Sequence, residues 1–129
     1  MRKILFVDDD NDFLTAQQIY FTAKGDRVLT ANNTKQALKI LSEEEKPDVI
    51  ILDLMMEHYD SGFSLANSIR KIKGCEKIPI VMISGVAQST GVRFEDKETM
   101  KDWIGIMEFV NKPVDPFRID DVIRKILKK

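Results

Sequence analysis

Four apolar, β-prone segments of this chain each end on polar residues of a definite type. The segments and the residues that follow them are 4–7 with Asp8-Asp9-Asp10, 49–52 with Asp53, 80–83 with Ser84-Gly85, and 108–111 with Lys112-Pro113. If the segments are parallel strands of one sheet, carboxylates, a hydroxyl and an ammonium gather at its carboxyl edge. In open α/β sheets that edge is where ligands bind.

The acidic residues at this edge predict a metal site. Adjacent strands lie about 4.8 Å apart, so the carboxylates of Asp8, Asp9 and Asp53 should converge. Carboxylates held this close repel one another and are stable only with a cation or with a proton taken up. Mg²⁺ accepts carboxylates, waters and a phosphate oxygen as ligands. We therefore expect a site for Mg²⁺, which Mn²⁺ could also occupy.

The other polar residues suit phosphoryl chemistry. With a metal absorbing charge, one carboxylate can attack a phosphoryl group, because catalysis of that reaction is mostly positioning and charge neutralisation. Lys112 is placed to hold one phosphoryl oxygen as a point charge, and the hydroxyl of Ser84 is placed to hold another.

Helical patterns lie between the strands. Apolar residues recur at helical spacing in 13–23, 34–45, 63–72 and 116–127, and glycine or proline follows the first three at Gly25, Pro47 and Gly74. Asp115 is a natural cap for the last helix, with Pro116 at its first position. Residues 27–31 are typical of a short second strand.

The resulting order, β-α repeated five times, predicts a parallel sheet with helices on both faces. The strands that end at Asp8, Asp53 and Ser84 are continuously apolar and should be the buried middle strands, whereas the second should lie at an edge. The flavodoxin-like, doubly wound order 2-1-3-4-5 satisfies this and places the switch point between the first and third strands.

Length and composition narrow the class of protein. The 129 residues suit one domain, 1–129, without an output domain, and 43% hydrophobic with 32% charged residues is typical of a globular chain. Twenty basic against 21 acidic side chains argue against a nucleic-acid partner. No apolar run is long enough for a membrane. The single cysteine, Cys75, excludes an internal disulfide, and we expect a cytoplasmic protein.

Taken in order along the chain, the motifs resemble the receiver domain of two-component response regulators, the CheY-like domain that accepts phosphate on an aspartate. The resemblance covers the whole chain and implies that Asp53 is the phosphoacceptor. It implies metal ligation by Asp8, Asp9, Asp53 and the backbone carbonyl of Met55, with Asp9 as a direct ligand. Such a domain catalyses its own phosphorylation and dephosphorylation and is not a turnover enzyme.

The resemblance also implies a switch. Ser84 would be the switch hydroxyl, Lys112 the charge-neutralising lysine and Phe109 the switch aromatic, which packs but cannot donate a hydroxyl hydrogen bond. The positions that flank the path of the hydrolytic water hold Met55 and Val86, which cannot orient a water molecule. We therefore expect slow self-dephosphorylation.

Two stretches depart from the family pattern. Residues 56–62 lack the usual proline and are one residue longer, and Glu57, His58 and Asp60 can be interpreted as metal ligands or as a solvated loop. Segment 85–107 is longer than usual. It is either an elaborated helix and loop without a special role or a partner-binding surface that phosphorylation repositions. Trp103 lies within this segment.

Other classes of protein share parts of this pattern. A haloacid-dehalogenase-type phosphatase also has Asp-x-Asp after its first strand, as Asp8 and Asp10 do, but it requires Thr or Val where Asp12 stands. A flavodoxin needs a hydroxyl- and glycine-rich phosphate loop, and the acidic cluster would repel FMN. A degenerate receiver, acting only as a binding module, usually lacks an acid or the lysine that this chain has.

The resemblance implies partners as well. The phosphoryl donor would be a phosphohistidine on a histidine kinase or a histidine phosphotransfer protein. The signal would pass to a downstream protein target by altered contacts around the fifth strand and the helix expected just before it, between the fourth and fifth strands. The sequence does not identify that target, and it leaves open whether phosphorylation drives homodimerisation.

Overall fold

A computed structural model describes residues 2–43, 45–53, 61–84, 106–111 and 114–127. These residues form one five-stranded sheet in the order β2-β1-β3-β4-β5, and all four pairs of neighbouring strands are parallel. The strands are β1 (Lys3–Val7), β2 (Arg27–Ala31), β3 (Val49–Asp53), β4 (Ile80–Ser84) and β5 (Ile106–Asn111). The predicted flavodoxin-like fold class and strand order are confirmed.

The burial of the strands follows the sequence pattern. Every residue of β1 and β3 is buried, as expected for continuous apolar strands covered on both faces. Strand β2 lies at an edge, and only its last residue, Ala31, is buried. The second strand is therefore the edge strand that its mixed polarity predicts.

Successive side chains of the central strands supply two separate cores. Leu5 and Val7 of β1 point to one face, where they pack with residues such as Leu41 and Ile69. Ile4 and Phe6 point to the other face. This alternation is what a period of two residues requires, and it places helices on both sides of the sheet.

The helices within the described residues are α1 (Asn11–Ala23), α2 (Thr34–Leu41), α3 (Ser61–Arg70) and α4 (Pro116–Leu127). Helix α1 ends as predicted, since Gly25 follows its C-cap with a φ of 94°, a left-handed conformation that suits glycine. Helix α4 begins as predicted, because the Asp115 carboxylate accepts a hydrogen bond from the N–H of Arg118 at 2.9 Å.

Helix α2 is shorter than the sequence pattern predicts, and the predicted end at residue 45 is wrong. The helix ends at Leu41, and the N–H of the C-cap Ser42 donates to the Leu38 and Lys39 carbonyls. The Lys46 ammonium donates to the carbonyls of Leu41 and Glu43. Because the Lys46 side chain gives a hydrogen-bond partner to a carbonyl at the end of the helix, α2 can end well before Pro47, the residue that would otherwise stop it.

Helix α3 begins and ends two residues earlier than its apolar spacing predicts. After Arg70 the N–H of Ile72 donates to Ile69 at 3.0 Å, so the chain tightens into a turn. Ile72 nevertheless packs against the core, which explains why the periodicity runs past the end of the helix. Gly74 follows with a φ of 92°.

Three features predicted from the sequence lie outside the described residues. These are the loop 54–60 with Glu57, His58 and Asp60, the segment 85–105 with Trp103, and the position of Lys112. Within the described part of the chain, no helix combines the length and the apolar character that a bilayer crossing requires.

Candidate functional site

Three carboxylates meet at the carboxyl edge of the sheet. One oxygen from each of Asp8, Asp9 and Asp53 lies within 4.8 Å of the others. Asp53 is the last residue of β3, and Asp8 and Asp9 follow β1 directly. Because Val7 pairs with Leu52 across the two parallel strands, the residues that come next on each strand emerge side by side.

The three carboxylates differ in their exposure to solvent. Asp8 is 1% exposed and Asp53 is 5% exposed, whereas Asp9 is exposed. Buried carboxylates lose the hydration that stabilises their charge, so burial and mutual repulsion both favour uptake of a cation here. The exposed Asp9 carboxylate gives such a cation access from solvent.

Asp8 is held from two sides. Its backbone N–H donates to the Ala31 carbonyl of the edge strand at 3.1 Å. Its Oδ1 accepts a hydrogen bond from the backbone N–H of Asp10 at 2.9 Å. The residue between them, Asp9, is therefore carried on a short loop that is fixed at both ends.

The donor set fits Mg²⁺. Three carboxylate oxygens within 4.8 Å of one another are hard oxygen ligands, and they can converge on one small dication together with waters. Among the described residues the group consists of carboxylates alone, and such oxygen ligands suit Mg²⁺ better than Zn²⁺.

Two other predicted site residues are placed by their backbones. Ile83 pairs with Asp53 across β3 and β4, so Ser84 is the next residue at the same edge. Phe109 lies in β5 and pairs with Met82. The backbones of Ser84 and Phe109 thus lie on the two strands beyond β3, while Met55, Val86 and Lys112 fall outside the described residues.

Asp10, the third aspartate of the acidic run, has a different structural role, which was not predicted from the sequence. Asp10 is the N-cap of α1, and its Oδ1 accepts from the N–H groups of Asp12 at 3.0 Å and Phe13 at 3.2 Å. An aspartate immediately before a helical pattern is the signal that could have identified this role.

A second charged cluster, also missed from the sequence, lies at the opposite edge of the sheet. The Asp120 side chain on α4 is 2% exposed and accepts hydrogen bonds from Arg2, at 2.8 Å, and from Lys24. Arg2 also contacts both carboxylate oxygens of Asp26, at 3.0 and 2.6 Å. Arg124 lies 3.6 Å from Asp120. We call Arg2, Lys24, Asp26, Asp120 and Arg124 the ionic cluster.

The ionic cluster determines the protonation of its central residue. Burial alone would raise the pKa of Asp120, but the hydrogen bonds from Lys24 and Arg2 outweigh burial and hold that pKa below its ordinary value. Asp120 is therefore a charged, fully paired residue inside the fold. Its partners Arg2 and Lys24 come from 118 and 96 residues away, so local periodicity gives no sign of the cluster.

Comparison with known proteins places this site in a family. A family model described as the response regulator receiver domain matches residues 4–124, which is nearly the whole chain. The acidic residues Asp8, Asp9 and Asp53 all lie within the matched range.

Curated proteins that are similar to this chain in sequence include transcriptional regulatory proteins. The chain is 31% identical to the transcriptional regulatory protein AfsQ1 of Streptomyces coelicolor over 100% of this chain and 52% of that protein. It is 30% identical to the alkaline phosphatase synthesis transcriptional regulatory protein PhoP of Bacillus subtilis over 99% of this chain and 49% of that protein. The chain spans about half the length of these curated relatives.

Solved structures show the same fold. A CheY-like response regulator receiver domain from Methanospirillum hungatei superposes with a TM-score of 0.82 at 20% identity, covering 99% of this chain and 94% of that one. The chemotaxis response regulator CheY4 of Vibrio cholerae gives a TM-score of 0.80 at 23% identity, with 98% of both chains covered.

Proposed function

This chain belongs to the family of response regulator receiver domains, and from that premise we propose that it accepts a phosphoryl group on Asp53. The donor we propose is a phosphohistidine on a histidine kinase or on a histidine phosphotransfer protein. The receiver family supports a signalling role of this kind, and the regulatory relatives are consistent with it.

We propose that Asp8, Asp9 and Asp53 hold Mg²⁺, with the backbone carbonyl of Met55 as a further ligand. When bound, Mg²⁺ would neutralise charge on the carboxylates and on the incoming phosphoryl oxygens. Asp8 contributes from a buried position fixed by the N–H of Asp10, and Asp9 contributes from the solvent side.

In the proposed transfer, a carboxylate oxygen of Asp53 attacks the phosphorus of the phosphohistidine. A P–O bond forms, the P–N bond breaks, and the imidazole leaves with the electron pair and takes up a proton from solvent. The product is an acyl phosphate on Asp53. Because the reaction depends mainly on alignment and charge neutralisation, a carboxylate on the last residue of a rigid strand suits it.

The resemblance supports roles for the neighbouring strands. We propose that Ser84 and Lys112 hold phosphoryl oxygens and that Phe109 follows Ser84 when the acyl phosphate forms. The altered surface would then be recognised by a downstream protein. The positions of Ser84 on β4 and Phe109 on β5 support coupling between them, because the two strands are hydrogen-bonded neighbours.

One observation carries the proposal. The nearly buried Asp53 carboxylate lies within 4.8 Å of two further carboxylates, at the sheet edge where ligands of this fold bind. A carboxylate that served only as a turn residue would not require two acidic neighbours, since their repulsion costs stability.

The proposal is tested with Asp53→Asn, which keeps the shape of the side chain and relieves repulsion, so the variant should fold. Wild-type protein incubated with acetyl phosphate and Mg²⁺ should gain one acid-labile phosphoryl group by intact-protein mass spectrometry, and Asp53→Asn should gain none. The matched control Asp12→Asn, which changes an exposed aspartate in the first turn of α1, should be phosphorylated like wild type. Unchanged acid-labile phosphate in Asp53→Asn would exclude Asp53 as the acceptor.

A further inference from the structure

The geometry points to Asp10 as a positioning residue for the metal site: by capping α1, it holds the loop on which Asp8 and Asp9 approach the cation. This inference rests on the proposed function, since it concerns Mg²⁺ bound by Asp8, Asp9 and Asp53. Asp10 itself is not one of the three converging carboxylates.

The side chain of Asp10 is turned toward the helix. A single oxygen, Oδ1, accepts hydrogen bonds from the N–H groups of Asp12 and Phe13, two of the donors that the start of a helix leaves without an intrahelical partner. The Asp10 carbonyl accepts the first hydrogen bond of the helix, from the N–H of Leu14 at 3.1 Å. The side chain and the backbone carbonyl of Asp10 are thus both hydrogen-bonded to α1.

The backbone N–H of Asp10 is turned toward the metal site. With φ −86° and ψ 101°, the residue is extended, and in this conformation its N–H donates to Asp8 Oδ1 at 2.9 Å. That bond helps to orient the Asp8 carboxylate. A carboxylate can accept such a hydrogen bond and also ligate a cation.

Asp9 lies between these two fixed residues. Asp8 is anchored to the edge strand through the Ala31 carbonyl, and Asp10 is anchored to α1. The exposed Asp9 side chain has little packing of its own to hold it in place. Its approach to within 4.8 Å of the buried Asp8 and Asp53 therefore depends on the backbone on either side.

Two explanations of an Asp10 effect must be separated. Asp10 could act by position, through the cap, or by charge, because a third carboxylate close to the site attracts any cation. Asparagine keeps the capping oxygen and removes the charge. Glutamate keeps the charge but is a poor cap, and alanine loses both.

The test measures Mg²⁺ affinity and not activity. Melting curves of Asp10→Asn, Asp10→Glu and Asp10→Ala, recorded without and with increasing Mg²⁺, give the stability of the free protein and, from the increment, the dissociation constant of Mg²⁺. Asp12→Asn is the matched control, since it removes a charge two residues away and leaves the Asp10 carboxylate in place.

Positioning predicts that Asp10→Asn binds Mg²⁺ like wild type, while Asp10→Ala and Asp10→Glu bind it roughly ten-fold more weakly, as is typical when an outer-shell partner of a metal ligand is lost. If asparagine is as weak as alanine while glutamate matches wild type, charge is responsible and the inference is wrong. If the cap-deficient variants melt earlier but keep the wild-type Mg²⁺ increment, Asp10 only stabilises α1, and the inference is again wrong. Wild-type protein that gains no stability from Mg²⁺ would overturn the metal site itself, and this inference with it.

Discussion

Strand β1 has a group of aspartates at each of its ends, and the two groups are built in opposite ways. At the amino end, Asp26 and Asp120 are matched by the protein's own cations, and Asp120 contacts both Arg2 and Lys24. At the carboxyl end, Asp8, Asp9 and Asp53 are held close to one another. The first arrangement stabilises the fold, whereas the second concentrates negative charge where a ligand can enter.

The difference shows how one sheet separates stability from function. The ionic cluster is shielded at its centre, where the side chains of Arg2 and Asp120 are 13% and 2% exposed, whereas Lys24 and Arg124 lie at its rim and reach solvent. Breaking such a cluster is costly because the charge-assisted hydrogen bonds to its shielded carboxylates are lost. The acidic edge instead has an exposed member, Asp9. In the absence of a cation, the repulsion between its close carboxylates opposes the folded state.

The largest effect on stability should come from the amino end. Asp120→Ala removes the carboxylate that Arg2 and Lys24 share, and we expect it to lower the free energy of unfolding by about 2 kcal/mol, the range for losing hydrogen bonds to a charged group, because Arg2 keeps Asp26 and Lys24 stays in contact with solvent. Urea denaturation measures the change. The stabilisation gained on adding Mg²⁺ should equal that of wild type.

The control for this variant is Asp121→Ala on the same helix. Asp121 is exposed and pairs only with the exposed Arg124 among the described residues, so its loss should change stability by no more than about 0.5 kcal/mol. Equal losses in Asp120→Ala and Asp121→Ala would mean that the buried cluster contributes no more than a surface pair.

The pH dependence of stability should identify the same residue. The pKa of Asp120 is lower in the folded protein than in the unfolded chain, so its contribution is fully present above the unfolded pKa and is lost as the pH falls through the folded pKa. The difference in unfolding free energy between wild type and Asp120→Asn should therefore shrink as the pH falls from about 5 to the acid limit of the native state, because carboxyl groups take up protons in this range. A difference that grows on acidification would contradict the assignment.

The smallest effect should come from the acidic edge. Asp9→Asn relieves repulsion at an exposed carboxylate, and we expect the metal-free variant to be about 0.5 kcal/mol more stable than wild type, since solvent screens most of that repulsion. With Mg²⁺ the order should reverse, because a ligand is lost. Thermal melts without and with Mg²⁺ measure both changes.

Asp8→Asn is the comparison for this variant. Since the receiver family implies that Asp9 is the direct ligand, Asp8→Asn should lower the affinity for Mg²⁺ less than Asp9→Asn does. Equal loss of affinity in the two variants would argue against Asp9 as the direct ligand.

Much of the fold could be predicted because its signals are local. Continuous apolar runs identify buried parallel strands, and the mixed polarity of 27–31 identifies an edge strand, so the order of the sheet follows. Asp115 and Gly25 mark helix ends through their own backbone requirements. The early end of α2 was missed because it depends on Lys46, whose side chain reaches back to carbonyls that no residue pattern identifies.

The candidate site was predictable for a related reason. Parallel strands in register bring their last residues together, so the proximity of Asp8 and Asp53 follows from the topology alone. Which aspartate of a run of three caps the helix depends on where the chain turns, and this is visible only in the backbone. The ionic cluster joins residues as far apart as Arg2 and Asp120, and no local pattern encodes such a pairing.

The contact between Arg2 and Asp120 also bears on the order in which the chain folds during synthesis. Arg2 can meet Asp26 as soon as the first β-α unit and the start of β2 have left the ribosome, but Asp120 follows 118 residues after Arg2. Until α4 emerges, Arg2 and Lys24 lack the carboxylate that joins them, and the face of the sheet that α4 shares with α1 is only partly covered. Helix α4 therefore completes the packing beside β1, and a nascent chain stalled before α4 should expose both apolar surface and unmatched positive charge to chaperones.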